Sequence, residues 1–167
     1  MQIFFSQKVS VGKKIIGDGE PVFIVAEAGI NHEGKLDLAL KLVEEAKKSG
    51  ADAIKFQMFK ADTLWSKKDP LYEVFKKLEF PRKSWETIAD YANKRDIIFF
   101  ASVFDEESAD LAEDLGCPVF KIASAELTYY QLVKYVAVKG KPLILSTGMA
   151  TLGEIDKVLN VIQSTNN

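Results

Sequence analysis

Residues 119–124 read Val119-Phe120-Lys121-Ile122-Ala123-Ser124, a short apolar run with one ammonium in its middle and a hydroxyl at its end. The run is too brief and too continuous for an amphipathic helix, so it reads as a strand buried on both faces. Residues 22–26, 53–56, 97–101 and 143–145 have the same character. Each is followed by a segment with helical periodicity. In the first, Leu36, Ala39, Leu40, Val43 and Ala46 recur at helical spacing and Ser49-Gly50 supplies a stop. The second carries Trp85, Ile88, Ala89 and Ala92 behind an expected Ser84 cap. The third follows Asp105, uses Ala109, Ala112 and Leu115, and ends at Gly116 before Pro118. The fourth and fifth open with the capping-box spacings Thr128-x-x-Gln131 and Thr151-x-x-Glu154.

Strands and helices that alternate in this way, with no hairpin signal between them, require parallel pairing and right-handed crossovers. The position of the polar residues chooses between a doubly wound sheet and a barrel. Glu27, Lys55 with Gln57, Ser102, Lys121 with Ser124, and Ser146 with Thr147 lie at or just beyond the ends of all five strands. A barrel brings such positions to one mouth, whereas a doubly wound sheet gathers chemistry at one switch point. The expected fold is therefore α/β, of the (β/α)8 TIM-barrel type, with about five βα units. They form a single domain over residues 1–167. A hairpin within residues 1–19, with strands at 8–11 and 13–16 around Gly12, precedes the units at 20–167. The insertion 62–81, with Trp65, Tyr72 and Phe75, lies on the mouth side and reads equally as a lid or as an extra packed helix.

Composition narrows the function. At 47% hydrophobic and 28% charged residues, the 167-residue chain is globular in character. Its 22 basic and 24 acidic residues leave a net charge of -2 with the basic ones scattered, so no nucleic-acid partner is expected. Cys117 is the only cysteine, which excludes an internal disulfide and a multi-thiolate metal site and suits a reducing cytoplasm. Residues 1–19 hold no continuous apolar stretch, and no run approaches the roughly 18 residues of a membrane span, so a soluble, unprocessed protein without a membrane partner is expected.

Lys55 and Lys121 carry the sharpest chemical signal. An ammonium inside an apolar strand is costly unless it is paired with a carboxylate or faces an anionic ligand. The structural alternative pairs Lys55 with Glu27 and Lys121 with Glu126. Hydroxyls at Ser124, Ser146 and Thr147, beside helix N-termini, are suitable phosphate ligands. The loop Ala26-Glu27-Ala28-Gly29-Ile30-Asn31-His32-Glu33-Gly34 is dense in functional groups, or else a tight turn with Asn31 and Gly34 chosen for their backbone. His32 is the only histidine, so a metal site on this loop would need Glu27 and Glu33 as well. No Gly-x-Gly-x-x-Gly, Walker or Gly-x-Ser-x-Gly motif occurs.

That loop, followed by Ile54-Lys55-Phe56-Gln57, Phe120-Lys121-Ile122-Ala123-Ser124-Ala125-Glu126 and Leu145-Ser146-Thr147-Gly148-Met149, resembles the N-acetylneuraminate (sialic acid) synthase family. Legionaminate and pseudaminate synthases and spore-coat polysaccharide synthase-like proteins belong to the same family. The resemblance implies a barrel that condenses phosphoenolpyruvate with N-acetylmannosamine or a related amino-sugar aldehyde, using Mn or Mg. It implies that Lys55, Ser102, Lys121, Ser124 and Ser146 hold the phosphate and carboxylate of phosphoenolpyruvate while Glu27 and Gln57 face the sugar. Glu27, Lys55 and Lys121 are the expected catalytic residues, and Gln57, Ser102, Ser124 and Ser146 the expected substrate-binding ones. An anionic enol needs cationic clamps, and carbon–carbon bond formation needs the enol held against a polarised aldehyde.

The match has departures. Where the family has Ser-Thr-Pro-Phe, this chain has Ala101-Ser102-Val103-Phe104, and where it has Ser-Gly-Glu or Ser-Gly-Asp, this chain has Ser124-Ala125-Glu126. The insertion after the second strand is short, leaving the family's sugar-contacting asparagine without a match. The family's metal-binding histidines come from later strands and an antifreeze-like domain follows the barrel. The resemblance thus places these beyond Asn167, and the chain alone is expected to lack synthase activity, with its open sheet edges covered by another copy or by the absent part. The intact enzyme is expected to be a homodimer. Three other readings remain: a class I aldolase using Lys55 or Lys121 as a Schiff base, a deoxy-octulosonate-type synthase, and a non-catalytic assembly module.

Overall fold

The computed structural model describes residues 7–165. A hairpin of β1 (Lys8–Val11) and β2 (Lys14–Gly17) comes first. Of the stretch 1–19 assigned to it, the first six residues lie outside the described ones. Then follow β3 (Val25–Gly29), α1 (Leu36–Lys48), β4 (Ala53–Met58), α2 (Ala61–Leu64), α3 (Pro70–Leu78), α4 (Arg82–Lys94) and β5 (Ile98–Val103). The chain continues through α5 (Glu106–Asp114), β6 (Phe120–Ile122), a 3-10 turn (Ser124–Glu126), α6 (Tyr130–Ala137), β7 (Leu143–Leu145) and α7 (Leu152–Gln163).

The last five strands form one parallel sheet in the order β3-β4-β5-β6-β7. Every strand sits beside its successor and the order never reverses, so there is no switch point. This is an arc of a (β/α)8 barrel. Side chains alternate between the two faces. Ile54, Phe56, Met58, Ala101, Val103, Phe120 and Ile122 are at most 1% exposed and belong to the single core between sheet and helices. Trp85 of α4 anchors that layer, with its ring 5.9 Å from Phe56 and 6.5 Å from Phe99. At the other end of the strands the hairpin closes over the sheet: Val11 is buried, Lys13 pairs with Asp96, and Lys14 pairs with Asp52 at 2.6 Å.

Several expected boundaries move, each for a local reason. The first strand begins at Val25 rather than residue 22, because the Ile24 N–H is taken by the Asp52 carboxylate at 2.8 Å. Ser84 is not a cap: Pro81, with its φ already near the helical value, stands at the N-cap and the helix starts three residues earlier than Ser84 allows. Thr128 does not cap either. The 3-10 turn carries the chain past it, Tyr129 takes the N-cap position, and Gln131 falls at N2 instead of the N3 a capping box requires. The Thr151–Glu154 box forms as expected, and Asp105 caps α5 through the Ser108 N–H at 2.7 Å. No helix among the described residues is long and apolar enough to cross a membrane.

Candidate active site

Register decides which side chains meet. Glu27 lies opposite Lys55, and Lys55 opposite Phe100, while two residues further on Gln57, Ser102, Lys121 and Ile144 stand level across four strands. Positions two apart on a strand share a face, so Glu27, Lys55, Gln57, Ser102 and Lys121 all occupy the side opposite the helix layer, towards the strand C-termini. Lys55 is 9% exposed and Ser102 2%. The Lys55 ammonium donates to Ser102 Oγ at 3.1 Å and forms an ion pair with Glu27. The first of the two structural pairs anticipated for the strand lysines therefore exists.

The second does not form. Lys121 Nζ donates to the carbonyl of Ile122 at 2.6 Å and makes no ion pair with Glu126 among the described residues, the two charges acting on each other only from a distance. Burial lowers the Lys121 pKa below the usual ammonium value, and the nearby Lys55 charge lowers it further. Glu126 has one carboxylate oxygen buried without a partner, and burial raises its pKa. Ser124 opens the 3-10 turn, and Gly148 lies against it: a Cβ on Gly148 would sit 3.7 Å from Ser124 Cβ and 3.8 Å from its Oγ. Ser146 extends the β6–β7 ladder through its N–H to the Ile122 carbonyl at 3.1 Å. Ser124 and Ser146 thus sit at the mouth end of adjacent strands. Together these groups could hold a compact anion between two ammoniums and several hydroxyls.

The first βα loop divides its groups. Gly29, Glu33 and Gly34 adopt positive φ and Asn31 does not, so the turn is made without it. His32 is fully buried on the helix side, stacked on Phe80 at 4.2 Å and edge-on to Trp85. Its Nδ1 accepts from the Gly34 N–H at 3.1 Å, and burial holds its pKa down at about 4. Glu33 pairs with Lys35 in solvent, so Glu27, His32 and Glu33 do not converge. Among the described residues no group of three His, Cys, Asp or Glu side chains could hold a metal ion. The divalent metal implied by the resemblance has no site built from these residues.

The insertion forms α2 and α3. Phe75 packs on Phe59, outside the insertion, at 5.2 Å, while the Trp65–Phe75 ring contact at 5.2 Å and Tyr72 donating to Asp62 at 2.9 Å join its own two helices. A residue that the sequence marked only as the point after which a helix begins does more here. Buried Asp105 accepts from the Lys60 N–H and the Thr63 hydroxyl, both at 2.9 Å, besides capping α5. It thereby ties the loop after Gln57 to the loop after Ser102. Its residue type signals a cap and nothing in the sequence signals the second role.

Comparison with known proteins bears on the family and the fold. Residues 42–167 match the NeuB family. The chain is 44% identical to the N,N'-diacetyllegionaminic acid synthase of Campylobacter jejuni, over 83% of this chain and 46% of that protein. It is 39% identical to the spore coat polysaccharide biosynthesis protein SpsE of Bacillus subtilis, over 94% of this chain and 45% of that one. The fold superposes with a TM-score of 0.92 on the N-acetylneuraminic acid synthetase of Leptospira borgpetersenii serovar Hardjo-bovis, solved in complex with citrate. That likeness covers 97% of this chain and 57% of that one, at 33% identity. The chain spans about half the length of the curated relatives it matches. Sequence motifs, strand order and similarity together place it in the NeuB family, whose members include sialic, legionaminic and pseudaminic acid synthases.

Proposed function

We propose that this chain supplies the phosphoenolpyruvate-holding part of a synthase that condenses phosphoenolpyruvate with an N-acetylmannosamine-like amino-sugar aldehyde, giving a sialic acid or a relative. The observation that carries this reading is the level placement of Ser102 and Lys121 beside the Lys55 ammonium on the mouth face. Two cations and a hydroxyl on rigid strands offer more positive charge than the single paired carboxylate, Glu27, neutralises. In this reading Lys55, Ser102 and Lys121, joined by Ser124 and Ser146, orient the phosphate and carboxylate of the enol, and Glu27 and Gln57 face the sugar. The Mn or Mg of the resemblance, the homodimer and the cytoplasmic setting belong to the same proposal. So does the lack of synthase activity in this chain alone, since the metal needs ligands from elsewhere in an intact enzyme.

Calorimetric titration of phosphoenolpyruvate into this chain and into a Lys55→Ala, Lys121→Ala double variant tests the reading. Binding to the parent that disappears in the variant is the expected result, and equal binding by both would remove the two lysines from the site. One observation favours a second reading: the lowered Lys121 pKa suits an amine nucleophile of a class I aldolase. Borohydride treatment with pyruvate separates the two, because an imine would be trapped as a covalent adduct on lysine and the synthase forms none.

A further inference from the structure

The Glu27–Lys55 pair is asymmetric. The Lys55 side chain is 11% exposed and that of Glu27 54%. A buried ammonium stripped of its partner is costly, whereas a carboxylate already half in water is rehydrated easily. Glu27 can therefore leave only when another anion takes its place. Gly29 leaves its side of the carboxylate without a side chain. Gly29 follows in the left-handed conformation, at φ 54, where a Cβ would stand 3.4 Å from Glu27 Oε1 and 3.7 Å from Gln57 Nε2. The charges also count. With Glu27 on Lys55, Lys121 has no ion-pair partner of its own among the described residues, and Glu27 and Glu126 act on it only from a distance. With Glu27 turned away, two ammoniums flank the Ser102 hydroxyl, which Lys55 already contacts at 3.1 Å.

We propose that Glu27 is a displaceable counter-ion, held on Lys55 until a phosphate-bearing dianion binds between Lys55, Ser102 and Lys121, and then released towards Gln57. This rests on the anion site described under the proposed function and adds an order to it. Glu27 becomes free to meet a sugar hydroxyl only after the anion has arrived. The anion's affinity is set in part by the carboxylate it must evict.

The test is calorimetry of the full chain with phosphoenolpyruvate and, separately, with inorganic phosphate, in the parent, Glu27→Gln and Lys55→Met. Glutamine keeps the shape and removes the competing charge, so Glu27→Gln is expected to bind phosphoenolpyruvate about three- to fivefold more tightly, the scale of a half-exposed ion pair. It should also melt lower than the parent without anion and gain more in Tm from it. Glu27→Asp, one methylene shorter, should fall between the two, and serves if the glutamine variant does not fold. Equal or weaker binding by Glu27→Gln, while the parent binds and Lys55→Met does not, would overturn the displacement and leave the phosphoenolpyruvate reading standing. Tighter binding of inorganic phosphate by Glu27→Gln with no binding of phosphoenolpyruvate would keep the displacement and overturn that reading. No binding of either anion by any form would overturn both.

Discussion

The two faces of the central sheet are built from the same strands and obey opposite rules. On the helix side Phe56 is fully buried, with ring contacts to Trp85, Phe99 and His32. On the mouth side, one residue away along the same strand, Lys55 and Gln57 meet Glu27 and Ser102. The helix side supplies stability through packed area. The mouth side spends part of that stability to bury ammoniums and hold them near one another, as the Lys121 pKa, lowered by burial and then by Lys55, records. Strand alternation lets one chain do both without either set of side chains disturbing the other.

Substitutions should separate the faces cleanly. The largest loss is expected from Phe56→Ala, which opens a cavity in the aromatic layer and should lower unfolding free energy by about 3–5 kcal/mol in urea titration. Next comes acid. His32 is buried neutral with a pKa of about 4, below its ordinary value of 6.5. The unfolded chain thus binds the extra proton between those values, so stability is complete above pH 6.5 and is lost as pH falls towards 4. The full effect is about 3 kcal/mol, readable as a falling urea midpoint. His32→Phe should flatten the profile between pH 7 and 5. The smallest effect on stability is expected on the mouth face: Lys55→Met removes a buried charge and leaves Glu27 to water, so the midpoint should move by less than about 1 kcal/mol while phosphoenolpyruvate binding is lost. A loss as large as that of Phe56→Ala would erase the distinction between the faces.

Much of this was legible in the residues. Lys55 and Lys121 stand out because a charge inside an apolar run contradicts its surroundings, and the strand-end placement of Ser102 and Ser146 follows from counting along each run. Other features depended on what lay elsewhere. Thr128 and Ser84 have cap chemistry, yet Pro81 and a 3-10 turn set the helix starts. His32 looked available to a metal until Phe80 and Trp85, some fifty residues along the chain, closed around it. Asp105 reads as a cap, while its bonds to Lys60 and Thr63 exist only because β4 and β5 are neighbours.

The sequence by itself determined the alternation of strand and helix, the barrel type and the identity of the polar mouth residues, because periodicity and local chemistry act over a few neighbours. The tertiary structure decided which charges are satisfied. Glu27 reaches Lys55 while Glu126 does not pair with Lys121, since strand register and the turn after β6 fix those separations. Pair energies depend on distance and burial, and both are properties of the folded arrangement rather than of the chain.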